Sequence, residues 1–207
     1  MQPEYAEHVL ENIRTLMERS QRYEHISGYS GLIAGCATLL GCLILGTGVM
    51  PFDFRYNFAL VWGTVFAVAF TAHVALTFGR ARRRGEPVWS RQARTVLLAV
   101  VPSFVASLAV TWRVWKTESF VSLPSYWLLL YGCGILATSF FAPRSIMILG
   151  VTCLTIAVGS ILCACHSPLI TMAVGFGLTH LAFGSWVLLA EWHESRQLTH
   201  WAAKQLT

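Results

Sequence analysis

The stretch Gly79-Arg80-Ala81-Arg82-Arg83-Arg84-Gly85-Glu86-Pro87 carries the densest run of charge in the chain, and apolar segments border it on both sides. Basic runs also occur on solvated faces and in nucleic-acid patches. Here the apolar borders decide the reading. Arginines at the end of a membrane span stay on the cytoplasmic face, so Arg80, Arg82, Arg83 and Arg84 act as a topology anchor that orients every other segment.

Composition points the same way. The 207 residues are 55% hydrophobic and 12% charged, about half the charge of an ordinary soluble domain. The formal net charge of +5 does not indicate nucleic acid, because the charges gather at span ends, where anionic headgroups sit. Six apolar segments follow one another at about 27–49, 57–79, 93–113, 122–142, 144–164 and 168–190. Each is near the ~20 residues that cross a bilayer core. The links are short, so consecutive helices are expected as antiparallel neighbours. The tightest is the hairpin Ala142-Pro143-Arg144-Ser145 between spans 4 and 5.

Two polar ends flank the spans. In residues 1–26, Ala6, Val9, Ile13, Leu16, Ser20 and Tyr23 recur at helical spacing among Glu and Arg, which predicts an amphipathic helix on the cytoplasmic side. The stretch lacks the short apolar core of a cleavable signal, so the first span is expected to direct insertion. Residues 191–207 interleave Trp192, Leu198 and Trp201 with Glu194, Arg196 and Lys204, the pattern of an interfacial tail. The fold class is therefore all-α: a polytopic six-transmembrane-helix bundle with amphipathic cytoplasmic helices at both termini. With both ends inside, Arg14, Arg19, Arg22, Arg80, Arg82, Arg83, Arg84, Arg91, Arg94, Arg144, Arg196 and Lys204 share the inner side, against Arg55, Arg113 and Lys116 outside. This is a positive-inside bias of twelve to three.

Packing signals lie within the spans. Gly31 and Gly35 form a G-x-x-x-G face, and Gly177 and Gly184 stand one heptad apart. Such faces let helix backbones approach closely, within a bundle or between copies in a homo-oligomer. Pro102 predicts a kink in span 3, with Ser103 and Ser107 as partners for the freed Leu98 carbonyl.

Few residues can carry chemistry. His73 and His180 are the ionisable side chains well inside spans, and such residues suggest a function because an unpaired one is costly in hydrocarbon. The bland reading is two neutral imidazoles bonded to neighbouring helices. The sharp one is a b-type haem or a transition metal held by His73 and His180. Cys163, Cys165 and His166 form a second metal candidate at the end of span 5, although a helix splays the two sulfurs apart. His73, Tyr131, Trp127, Thr179 and His180 are the residues expected at any interior ligand site. The six cysteines include no C-x-x-C pair, and cysteine inside an apolar helix behaves as a small hydrophobe. No Asp, Glu or Lys lies deep in a span, and no phosphate-binding or nucleophile motif is present. The pattern thus points away from an enzyme. No cofactor is required.

The segments Trp89-Ser90-Arg91-Gln92-Ala93-Arg94, Trp127-Leu128-Leu129-Leu130-Tyr131-Gly132 and Gly175-Phe176-Gly177-Leu178-Thr179-His180-Leu181-Ala182-Phe183-Gly184 resemble parts of a group of uncharacterised bacterial six-span membrane proteins. So do Leu16-Met17-Glu18-Arg19-Ser20 and Ser27-Gly28-Tyr29-Ser30-Gly31. The resemblance implies a bacterial inner-membrane location and lends no catalytic residue. The expected function is non-enzymatic: a subunit of a membrane assembly, or a binder of a small apolar ligand or lipid. A haem or metal protein is the first alternative. A small channel or transporter, or a membrane-bound regulator whose N-terminal helix captures a cytoplasmic protein, is the second. Expected partners are the lipid bilayer, membrane-complex subunits or a second copy, and no nucleic acid.

Overall fold

The computed structural model describes residues 27–83, 85, 87, 89–117, 120–163 and 167–205. The amphipathic helix expected over residues 1–26 lies outside them. Every regular element among the described residues is helical. In order these are α1 (Gly28–Gly46), α2 (Phe54–Arg83), α3 (Arg91–Thr117), a 3-10 turn (Phe120–Ser122), α4 (Leu123–Thr138), α5 (Arg144–Leu162) and a composite last span. The last span comprises α6 (Pro168–Met172), a π-helical segment (Ala173–Leu178) and α7 (Thr179–Gln205). Six of these helical stretches are long and apolar enough to cross a membrane, which makes this a multi-pass membrane protein.

Local chemistry sets the helix ends. α1 stops at Thr47, and Gly48 follows with φ of +66°, a left-handed exit that favours glycine. Pro51 blocks resumption. The loop is then pinned by buried Asn57, whose side-chain amide donates to the Met50 and Phe52 carbonyls while its oxygen accepts from the Phe52 N–H. α3 is capped by Ser90, whose hydroxyl oxygen accepts from the Ala93 N–H at 3.1 Å. α4 and α5 form the tight hairpin, with Pro143 immediately before α5. α2 runs from Phe54 to Arg83, several residues beyond the apolar core at both ends. α7 continues as helix past the span to Gln205. The side chains of its final residues, on which the amphipathic tail depends, lie outside the described ones.

The helix stays continuous through Pro102. The hydroxyl of Ser107 donates to the Ser103 carbonyl and that of Thr111 to the Ser107 carbonyl. Ser107 therefore does not serve the Leu98 carbonyl, and Ser103 instead lies against Gly134 of α4. Each hydroxyl finds its acceptor one turn back on its own helix, which is the shortest route available in an apolar setting.

The helices form two layers of three. One layer runs α2, α1, last span; the other runs α3, α4, α5. Close approach inside each layer depends on residues without a side chain. A Cβ on Gly184 would lie 2.6 Å from the Gly28 carbonyl oxygen and 2.7 Å from the Leu32 nitrogen. One on Gly35 would meet Leu181 at 2.7 Å and the Gly177 oxygen at 2.8 Å. The G-x-x-x-G face of α1 and the glycines of the last span thus meet each other within one molecule. In the second layer, Gly132 receives Leu154 of α5 and Gly150 receives Leu136 of α4.

Two cores join the layers. One gathers Leu128, Ile146, Leu149, Cys153, Ala157 and Phe183. The other collects Phe58, Trp62, Val114, Phe120, Leu123 and Met172 at the end remote from the arginine run. Phe176 of the π segment touches both. At the basic end, Arg80 of α2 binds Glu191 of α7 in a bidentate pair, 2.8 and 3.1 Å, which ties the outer helices of the first layer across α1.

Candidate functional site: a tyrosine–histidine pair on a π turn

The last span departs from α geometry over Ala173–Leu178. Glycines 175 and 177 lie within it at crowded positions, where a Cβ would collide with Leu128 of α4 and with Leu39 of α1. The wider turn shifts hydrogen bonds by one residue, so the Thr179 hydroxyl donates to the Val174 carbonyl, five residues back, at 2.9 Å. π segments are rare and concentrate at functional positions. Here the segment delivers the Phe176 carbonyl to the side chain of His180, with Nδ1 at 2.8 Å.

The geometry fixes the tautomer. A carbonyl can only accept, so Nδ1 carries the hydrogen, and in the neutral ring Nε2 is the acceptor. Nε2 lies 2.8 Å from the Tyr131 hydroxyl of α4. Tyr131 therefore donates to His180, which donates to Phe176. Rings reinforce the chain: Phe176 stacks on His180 at 6.0 Å and 19°, and Tyr131 tilts against both at 5.4 Å. His180 is 8% exposed, and wholly buried Cys153 lies in the core against which Tyr131 packs. The result is an oriented polar line between the two layers, enclosed by apolar side chains.

The other expected site residues stand elsewhere. Trp127 donates to the Thr111 hydroxyl at 2.7 Å and stacks on Phe58 at 5.8 Å, in the aromatic core remote from the arginine run. Thr179 turns back on its own helix. His73 is exposed on α2, with Nδ1 3.4 Å from the Ser30 hydroxyl of α1. Ser30 gives its hydrogen to the Ser27 carbonyl, so it is the acceptor for His73. The two imidazoles are thus engaged by different helices, α1 and α4. Holding one haem between them would require His180 Nε2 to give up Tyr131, whereas His73, bonded to Ser30 through Nδ1, would keep that partner; it is His180 that does not fit a bis-histidine group as it stands. Cys163 is exposed at the end of α5, and Cys165 and His166 lie outside the described residues. Among the described residues, no three His, Cys, Asp or Glu side chains gather as a metal site.

Two features escaped the sequence reading. The π segment leaves only a faint trace, the pair Gly175 and Gly177 inside an apolar span. A hydroxyl relay links α4, α5 and α6, with Ser125 to Ser160 at 2.8 Å and Ser160 to Thr171 at 3.0 Å. Small hydroxyl residues scattered over three spans announce no such pairing. Compared with protein-family models, with curated proteins and with solved structures, the chain finds no match.

Proposed function

We propose that this protein is a non-enzymatic bacterial inner-membrane protein, with both termini cytoplasmic, that binds a small apolar ligand within its helical bundle at the Tyr131–His180 pair. The supporting observation is the π turn that aims a buried imidazole and a phenol at each other in the middle of the membrane domain. With a partner at each nitrogen the buried imidazole is satisfied; what sets it apart is that the bond to its own helix is made on a turn that leaves α geometry. Ligand sites in membranes join an apolar wall to a few oriented polar groups, and Phe176, Tyr131 and His180 supply both.

The test is native mass spectrometry of protein extracted in mild detergent. The wild type should carry a mass excess of a small organic molecule. His180→Ala should lose it, and Tyr131→Phe should retain it only in part. A bare wild-type mass, or an excess unchanged in both variants, overturns the reading. An excess that matches haem would establish the cofactor alternative instead.

A further inference from the structure

The basic end of the bundle carries an open groove where α1 begins. Its volume is about 530 Å³, and Tyr29 of α1 lines it together with Leu188, Leu189, Glu191 and Trp192 of α7. Tyr29, Leu189 and Trp192 are each about half exposed. Glu191 is held there by Arg80, and the Arg196 guanidinium lies over the Trp192 ring at 3.8 Å. The groove is thus apolar on its walls and cationic at its rim. The chain enters the bundle beside it. Ser27 has extended backbone, φ −96° and ψ 124°, and helix starts only at Gly28. The residues before Ser27 therefore leave at an angle to α1 instead of prolonging its axis.

The sequence supplies an occupant at this point. Read at about 100° per residue, residues 1–26 divide into two faces. Val9, Ile13, Leu16, Ser20 and Tyr23 share one, and Glu4, Glu7, Glu11, Glu18 and Arg22 share the opposite one. The apolar face has to be covered, either by the bilayer or by protein, and the polar face decides between them. Helices that lie on lipid carry Lys and Arg on that face, drawn to anionic headgroups. This segment instead holds Glu4, Glu7, Glu11, Glu18 and Glu24, half of the chain's 10 acidic residues, against Arg14, Arg19 and Arg22. The bundle end from which it departs is the basic one, where Arg82, Arg83 and Arg196 are exposed. Charge therefore favours the protein's own basic end over an anionic bilayer surface. The tether is short as well. Tyr23 is separated from Ser27 by no more than about 14 Å of extended chain, and Tyr29 on the groove follows two residues later.

We propose that residues 1–26 fold back into this groove, with Leu16, Ser20 and Tyr23 toward Leu188, Leu189 and Trp192 and the glutamates turned outward. A short link holds the segment at an effective concentration of about millimolar, so a contact too weak to retain a free peptide is sufficient. The docked segment caps the start of α1 and covers the apolar walls where α7 leaves the span.

The test is disulfide trapping in the full-length protein from which the native cysteines have been removed. Leu189→Cys marks the groove and is combined in turn with Leu16→Cys, Ser20→Cys and Tyr23→Cys, and with Glu18→Cys and Arg22→Cys from the opposite face. The two sets interleave along the chain, so tether length does not separate them and only the docked face does. Under mild oxidation the first set should close an intrachain disulfide several-fold more completely than the second. Equal yields from both faces, or no disulfide from either, overturn the proposal. A disulfide formed between chains overturns it too, because the groove would then hold a second copy. The protein with its native cysteines gives an independent reading. Leu16→Glu/Tyr23→Glu should raise trypsin cleavage after Arg19 and Arg22 several-fold, and an unchanged rate counts against docking.

Discussion

Tyr131 donates the only hydrogen that His180 Nε2 receives among the described contacts, and this makes the pair testable one atom at a time. Tyr131→Phe removes an oxygen, keeps the ring against Phe176, and leaves a buried imidazole acceptor unsatisfied. Interhelical hydrogen bonds in membranes contribute about 0.6 kcal/mol on average, and a stranded buried acceptor costs about 1–3 kcal/mol. The variant should therefore lose roughly 1–2 kcal/mol. Thr179→Val is the control, because its hydroxyl bonds only its own helix. In thermal unfolding of the purified protein, Tyr131→Phe should lower the midpoint clearly more than Thr179→Val. Equal shifts would show that the Tyr131–His180 bond adds nothing between the layers. The sequence marks His180 as a residue needing a partner, since an imidazole in hydrocarbon must be satisfied. It does not identify the partner, because that depends on which turn of α4 comes level with the π segment. His73 shows the reverse case. It reads as an interior residue from its place in an apolar run, but α2 packs along α1 alone over much of its length, and His73 lies at the border of that contact, bonded to Ser30 and still exposed.

At the scale of elements, glycine divides into two kinds. Gly184 and Gly28 bring α7 and α1 into backbone contact, so a methyl at 184 meets a carbonyl oxygen and an amide nitrogen, neither of which can swing aside. Gly159 on α5 and Gly63 on α2 have open space where a Cβ would go. Gly184→Ala should force α1 and α7 apart, with a loss of about 2 kcal/mol or more, as in other overpacked sites. Gly159→Ala should gain up to about 1 kcal/mol from helix propensity alone. Opposite shifts in unfolding midpoint in one detergent would confirm the contrast. A similar loss in both would mean that the α1–α7 contact is not tight. The six spans and these small-residue faces are legible in the sequence because hydropathy and glycine spacing act locally. The π segment is not, because a turn widened by one residue leaves the apolar pattern intact. The separation of α2 from α3 is hidden for a related reason. A short link predicts adjacency, but each helix finds a closer-packed neighbour in its own layer, through Gly41 for α2 and Gly134 for α3.

For the whole molecule, the decisive property is the distribution of charge between the two ends of the bundle. The arginine run and Arg144 at the start of α5 occupy one end of their helices, and Arg80 is joined there to Glu191. Arg55, Arg113 and Lys116 sit at the opposite ends of α2 and α3. With an even number of spans, both flanks of the bundle emerge on the same side, and lysine and arginine bias that side to the cytoplasm. This prediction is independent of any ligand. In a cysteine-free background, Asp53→Cys marks the loop between α1 and α2, and Pro87→Cys marks the arginine loop. A membrane-impermeant maleimide applied to intact cells should label the first directly and the second only after permeabilisation. The reverse pattern would place the arginine run outside and overturn the assignment.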